Sequence, residues 1–259
     1  MEFATGDLSL NSLNSLLAVL PHVAWDQVRR YLNPVYLPLG KVLYEPGTKP
    51  DSVYFPTTAI VSLQYESANG TSAEMAVVGN EGMVGIALFM GGDTTSSRAV
   101  VDSPGEAYRL KALILKQEFF HWGAMQDRIL LYTQALITQV AQTAVCNRHH
   151  SVDQQLCRWL LLSLDRLPSN TLTMTQELIA NMLGVRREGV TEAASKLQKL
   201  GVIEYARGKI TVRDRPKLEQ LCCECYAVVK TETNRLLPNP PGLLGSANSD
   251  LRPTTRMAF

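Results

Sequence analysis

Between residues 176 and 200 the apolar positions recur at helical spacing, in two groups parted by Gly184. Ile179, Met182 and Leu183 make one buried stripe; Val190, Ala194 and Leu197 make the next. Thr173 or Thr175 can cap the first helix, because either hydroxyl can accept from an orphan backbone N–H, and Gln176 stands three residues after Thr173. Gly184 falls where the chain must turn sharply, a place for a residue that tolerates positive φ. Gly201 closes the second helix. Residues 202–205 and 209–212 then read as strands around an Ala206-Arg207-Gly208 turn. Helix, tight turn, helix and β-hairpin follow one another in the order of a winged helix-turn-helix.

Upstream the rhythm changes. One or two short helices are expected, over 13–20 and 24–32, followed by short alternating runs such as Ile60-Val61-Ser62-Leu63-Gln64-Tyr65 and Glu74-Met75-Ala76-Val77-Val78. Glu45-Pro46-Gly47, Asn69-Gly70, Gly79-Asn80-Glu81-Gly82 and Gly91-Gly92-Asp93 supply turns. Short strands at this density predict a small antiparallel barrel or jelly roll. From about 116 to 148 the pattern is helical again, with two neighbouring apolar stripes. Ile129, Thr133, Leu136 and Val140 lie on one; Leu130, Ile137, Ala141 and Ala144 lie on the other. Such a helix must bury surface in two directions: one stripe can face its own barrel and the other a partner helix, so a homodimer is expected, the alternative being a helix buried wholly within one subunit. A charge at Leu136 or Val140 is expected to break it. Ser151-Val152-Asp153-Gln154 has capping-box spacing and opens a helix to about Asp165. Beyond Leu237, PNPPGLLGSANSDLRPTTRMAF is rich in Pro, Gly and Ser, without periodicity, and reads as a disordered tail.

The fold class is therefore α+β in four parts. Residues 1–115 hold the N-terminal helices and β-roll, 116–150 the dimer helix and hinge, 151–237 the winged helix, and 238–259 the tail. At 259 residues the chain has room for two domains. No apolar run is seen that approaches the ~20 residues needed to span a bilayer, so no membrane partner is expected. The N-terminus lacks a basic n-region and a cleavage site. Five cysteines, an odd number biased to the C-terminal side, form no disulfide framework; a reducing cytoplasm fits them.

Charge sharpens the picture. Residues 171–217 carry nine bases against five acids, a local net charge of +4 in a chain of net +1. That concentration suits phosphate contact by one module. The second helix opens with Arg186, Arg187 and Glu188 and continues with Thr191 and Glu192 on the same face. In a helix-turn-helix those positions reach base edges in the major groove of double-stranded DNA. Arginine can bond guanine O6 and N7 together, and a carboxylate can accept from cytosine N4. Thr175 at the start of the first helix, with Arg207 and Lys209 on the hairpin, completes the expected contact set. The plainer reading is a solvated helix face, with Glu192 and Lys196 as an i,i+4 pair.

The segments LGKVLYEPGTKPDSVYF, GMVGIALFMGG and LGVRREGVTEAASKLQKLGVIEY resemble the bacterial Crp–Fnr superfamily of transcription regulators, over roughly residues 15–235. The resemblance implies a cyclic-nucleotide-binding-like β-roll that senses an effector, a long dimer helix, a DNA-binding winged helix and RNA polymerase as a partner. Arg187-Glu188 match the Arg-Glu pair at the start of that family's recognition helix, whereas Glu192 stands where cyclic-AMP-responsive members carry a further arginine. Those members also use a Gly-Glu pair for the ribose and an Arg-Ser pair for the phosphate. Here Gly85 is followed by Ile86, and the phosphate segment reads Thr95-Ser96-Ser97-Arg98-Ala99. Isoleucine cannot accept from a ribose hydroxyl, so conventional cyclic-AMP binding is not expected; a degenerate pocket of Gly85, Ile86, Ser96, Ser97 and Arg98 is, with no cofactor assigned.

Oxygen-sensing members hold an iron–sulfur cluster on N-terminal cysteines, and this chain has none before Cys146. Cys222-Cys223-Glu224-Cys225 could bind a soft metal or exchange redox state. On a helix, the favoured reading is packing as small hydrophobes, with no metal assigned. His149 and His150 are expected as solvated or hydrogen-bonded residues at the hinge. Two rival functions stand beside the regulator: a signalling adaptor that uses the winged helix for protein contacts, and a cupin-like enzyme. The enzyme is opposed by the lack of convergent histidines, since the segment before the long helix offers only His22, and by the absence of nucleophile-elbow, P-loop and HExxH signatures.

Overall fold

The computed structural model describes residues 14–67, 72–121, 123–167 and 169–237. The alternating runs form β4 (Ile60–Glu66) and β5 (Ser72–Val78), paired antiparallel from Val61↔Val78 to Glu66↔Ser72. With β2 (Val42–Tyr44) and β6 (Arg98–Ser103) they make a sheet in the order β2-β6-β4-β5. A second antiparallel sheet joins β1 (Asn33–Leu37), β7 (Gly105–Lys111) and β3 (Ser52–Pro56) in the order β1-β7-β3. Period-two alternation turns Leu37, Val53, Phe55, Val61, Val78, Val101 and Leu110 inward to one core. The helices α1 (Ser15–Ala18) and α2 (His22–Arg29) add Leu16, Leu17 and Val28 to it. The expected β-roll is present. Leu13 and the Asn69-Gly70 turn lie outside the described residues, as does the tail from 238.

The helical stretch expected over 116–148 is two helices, α3 (Ala112–Phe120) and α4 (Ala124–His149). The chain breaks at Gly123, which stands extended as the α4 N-cap. Periodicity alone carried the expectation across this break, because α3 begins and α4 continues with apolar residues. The two stripes behave differently. Ile129, Thr133 and Leu136 are buried in the roll, with Val140 half-buried beside them. Leu130 is 50% and Ile137 60% exposed, and Ala141 and Ala144 share their outward face. Leu136 is thus a core residue of its own subunit, which corrects its choice, and that of Val140, as a probe of dimerisation. By length and composition α4 is also apolar enough to cross a bilayer, contrary to the expectation that no such run exists. Here it is a core helix: Tyr132 donates to the Met83 carbonyl and Gln139 to that of Val77, tying it to the roll.

The C-terminal part runs α5 (Val152–Leu164), β8 (Thr171–Thr173), α6 (Gln176–Leu183), α7 (Arg187–Lys199), β9 (Ile203–Ala206), β10 (Lys209–Val212), α8 (Arg215–Leu221) and α9 (Glu224–Leu236). The Ser151/Gln154 capping box is made in both directions, a feature worth ~1 kcal/mol. Thr175 caps α6 by accepting from Leu178 N at 3.2 Å, while Thr173 is taken up by β8 opposite Lys209. That third strand, giving the order β8-β10-β9, was not visible in the sequence pattern because three residues are too few to show alternation. Val190, Ala193, Ala194 and Leu197 of α7 pack with Ile179, Met182 and Leu183 of α6 and with Leu156 and Leu160 of α5. Ile60 and Val77 of the roll belong to this second core, so the two halves meet across α6 and β5.

Candidate functional site

Gly184 adopts φ +66° between α6 and α7, and its N–H bonds back to Asn181 O. This left-handed cap sets the sharp angle that turns the N-terminus of α7 outward. Arg186 is the N-cap of α7, and Arg187 and Glu188 form its first turn. The wing closes through a two-residue loop in which Arg207 (φ +50°) and Gly208 (φ +74°) both have positive φ, as a type I′ hairpin requires. Arg186, Arg187, Glu188, Thr191, Glu192, Thr175, Arg207 and Lys209 are all exposed. An open concavity of about 300 Å³ is lined by Thr175, Gln176, Arg187, Tyr205, Arg207 and Gly208. Residues over thirty positions apart in sequence are thereby drawn onto one cationic face.

Contacts within this face separate its members. Thr191 donates to Gln176 Oε1 at 2.7 Å and to its own helix at Arg187 O, which bolts the two helices together. Glu192 lies 3.3 Å from Lys196, which also reaches Asp153 at 3.1 Å; these carboxylates raise the Lys196 pKa, Asp153 first. The i,i+4 pair of the plainer reading therefore exists. It involves the middle of the helix, while Arg187 has only a 4.0 Å approach to Glu177 and remains extended towards solvent.

The degenerate effector residues come from two segments of the roll. Gly85, at φ +112°, lies against Val53 of β3, where an added Cβ would come within 2.9 Å of Val53 Cγ1. Ile86 starts a 3-10 turn and packs against the roll core. Ser96, Ser97 and Arg98 enter β6, in the other sheet. Ser97 is buried and bonded to Thr95 at 2.9 Å, Ser96 is exposed, and Arg98 pairs with Glu45 at 3.1 Å.

Two polar constellations were missed by sequence reasoning. Arg166, just after α5, pairs with Glu81 at 2.6 Å and donates to Gln139 Oε1 at 2.8 Å, linking the winged half to the β5 turn and to α4. In the second, Glu74 and Asp102 are buried together. Burial raises the pKa of each, and the Glu74 charge raises Asp102 further, while Ser62 and Arg158 act in the opposite direction on Glu74. Neither has a sequence signature, because the partners come from three separate segments in the first and four in the second.

The cysteines meet expectation in part: Cys223 and Cys225 are buried, packed with Cys146. Cys222 and Cys223 lie at a junction rather than on a helix: Cys222 caps the end of α8 and Cys223 the start of α9. Burial in the last turn of α4 places Cys146 Sγ 3.6 Å from Cys223 Sγ, and Cys225 Sγ stands 3.6 Å from His150 Nδ1. Thiol donation from Cys146 and Cys222 lowers the Cys223 pKa, which favours a thiolate there. Cys157 is buried among the leucines of α5, close enough to Cys222 and Cys223 for their charges to interact but outside the group of four ligand atoms.

A roll joined by a long helix to an outward-facing helix-turn-helix and wing defines a two-part regulator of transcription. The matching family models agree with each half: the cyclic nucleotide-binding domain over residues 34–120 and the Crp-like helix-turn-helix domain over residues 154–221. The chain belongs to the Crp–Fnr superfamily of transcription regulators. Solved structures share the fold. A putative transcriptional regulator of the Crp/Fnr family from Eubacterium rectale is 19% identical with a TM-score of 0.62, covering 78% of this chain and 94% of its own. FixK2 from Bradyrhizobium japonicum is 16% identical with a TM-score of 0.63, covering 74% and 98%. The c-di-GMP responsive global regulator CLP from Xanthomonas campestris is 17% identical with a TM-score of 0.58, covering 74% and 99%. No curated protein matches the chain.

Proposed function

We propose that this regulator binds double-stranded DNA sequence-specifically as a homodimer, with α7 in the major groove and the wing on the backbone, under control of the β-roll. The observation that carries the reading is the convergence of Arg187, Thr175 and Arg207 on one open concavity at the exposed N-terminal end of α7. The outward stripe Leu130, Ile137, Ala141 and Ala144 on α4 supplies an apolar seam for a second copy. Two α7 helices related by that seam would read inverted half-sites about one helical turn apart. RNA polymerase is the partner that membership of this family suggests, with the reduced thiols suited to the cytoplasm.

The roll's effector is not cyclic AMP bound in the usual manner. The Ile86 side chain offers no acceptor for a ribose hydroxyl, and Arg98 stands 3.1 Å from Glu45 without a hydrogen bond from its buried Nε to any described residue. Calorimetry with cyclic AMP should show no tight, saturable binding coupled to DNA affinity.

Selection from a genomic fragment library by the purified chain tests the central reading. Enrichment of a shared inverted repeat is expected. Recovery of fragments without a common sequence, lost on modest addition of salt, would leave a nonspecific binder; recovery of no DNA would favour an adaptor.

A further inference from the structure

We propose that Cys146, His150, Cys223 and Cys225 form a closed binding site for a soft divalent metal ion of the zinc class, which ties the end of α4 to the start of α9. Their four ligand atoms all lie within 4.8 Å of one another, and three of the four residues are buried. A tetrahedral zinc, with Zn–S of ~2.3 Å and Zn–N of ~2.1 Å, has S···S edges of ~3.8 Å and S···N edges of ~3.6 Å. The 3.6 Å Cys146–Cys223 and 3.6 Å Cys225–His150 separations fit those edges. They do not fit a disulfide, whose sulfurs stand ~2.05 Å apart.

The surroundings match the same chemistry. His150 turns Nδ1 to the thiols and sets Nε2 3.3 Å from Glu224 Oε1, the carboxylate–histidine arrangement that orients a metal-bound imidazole. Three thiolates and a divalent ion carry a net negative charge. The buried Arg158, 4% exposed and with an unpartnered Nε, lies close enough for its charge to act on Cys146 and Cys225. Binding releases the thiol protons to solvent, so affinity rises with pH. Four protein donors leave no open position, which makes the site structural rather than catalytic. Because α4 ends at His149 and α5 starts at Val152, an ion here holds the hinge from which the DNA-binding half departs.

Cobalt(II) titration of the reduced, metal-free full-length chain, without DNA, tests the site independently of the DNA-binding reading. One equivalent per chain is expected, with thiolate-to-cobalt charge-transfer absorption and the intense d–d bands of a tetrahedral centre. Cys225→Ser should remove about a third of the charge-transfer intensity, and Cys157→Ser should change nothing. Glu224→Gln, at an exposed position that leaves packing intact, should weaken cobalt binding roughly 10–100-fold. Absence of stoichiometric binding, an octahedral spectrum without the thiolate band, or equal effects of Cys157→Ser and Cys225→Ser would overturn the proposal. So would a reduced chain that ignores cobalt but forms a Cys146–Cys223 disulfide in air, which would make the cluster a redox pair.

Discussion

Arg187 and Glu188 are neighbours whose chemistry separates them. Arg187→Ala should cost roughly 1–3 kcal/mol on the preferred DNA site and relax preference at one base pair, as for a lost bidentate arginine–guanine contact. Glu188→Ala should change which base is tolerated more than it weakens binding, because the lost acceptor also removes repulsion from phosphates. Lys209→Ala on the wing should weaken all sequences alike and make the salt dependence shallower. Titrations on specific and random duplexes at several salt concentrations separate these outcomes; equal losses on both duplexes for all three would remove α7 from base readout. A different residue-scale effect comes from Asp102. Its raised pKa, with that of Glu74 beside it, means the folded chain keeps protons that the unfolded chain releases. The resulting stability is full below the ordinary carboxylate range of ~4 and is lost as pH rises through the elevated folded value. Asp102→Asn, neutral at every pH, should flatten this decline in melting temperature measured from about pH 4 to 8. Unchanged pH dependence in that variant would place the titrating group elsewhere.

At the scale of elements, α4 carries two faces with different owners. Its inner face is committed to the roll through Ile129, Tyr132 and Leu136, so a charge there damages folding before it says anything about assembly. Ile137, 60% exposed, is the informative position. Ile137→Lys should leave the circular dichroism spectrum intact while shifting sedimentation towards monomer, since a lysine pair at such a seam opposes association. A strictly monomeric wild type at micromolar concentration would show that the outer stripe has another occupant. The α6–α7 pair is held by Thr191 on Gln176 and by the left-handed Gly184 between the helices.

Across the whole molecule the two cores are joined by a small polar lock. Glu81, Gln139 and Arg166 come from the β5 turn, α4 and the segment after α5, and Gln139 continues the chain of contacts to the Val77 carbonyl. Arg166 is 7% exposed as a side chain and Glu81 17%, so removing one partner strands the other in a poorly solvated place. Arg166→Ala should destabilise the chain by roughly 3 kcal/mol, near the lower end for breaking a buried pair, and speed amide exchange in β5 and α5 together. A loss under about 0.5 kcal/mol, within the ordinary scatter of surface changes, would mean that the lock orders the domains without stabilising them.

The parts that depend on neighbours along the chain were legible in the residues alone. Helical spacing around Gly184 gave α6 and α7, the Ser151-to-Gln154 spacing gave the start of α5, alternation gave β4 and β5, and the arginine-rich opening of α7 marked the candidate DNA face. Those features are local: a 3.6 or 2.0 residue period, a cap three residues from its partner, a turn that needs positive φ. Packing settled which stripe of α4 belongs to the roll, since both stripes are apolar and burial depends on what lies against them. It alone placed β8 beside the wing, closed Glu81 on Arg166, and set Cys146 and His150 against Cys223 and Cys225. Each of these joins residues tens of positions apart, and no period or spacing along the chain encodes a meeting that the packing of separate elements brings about.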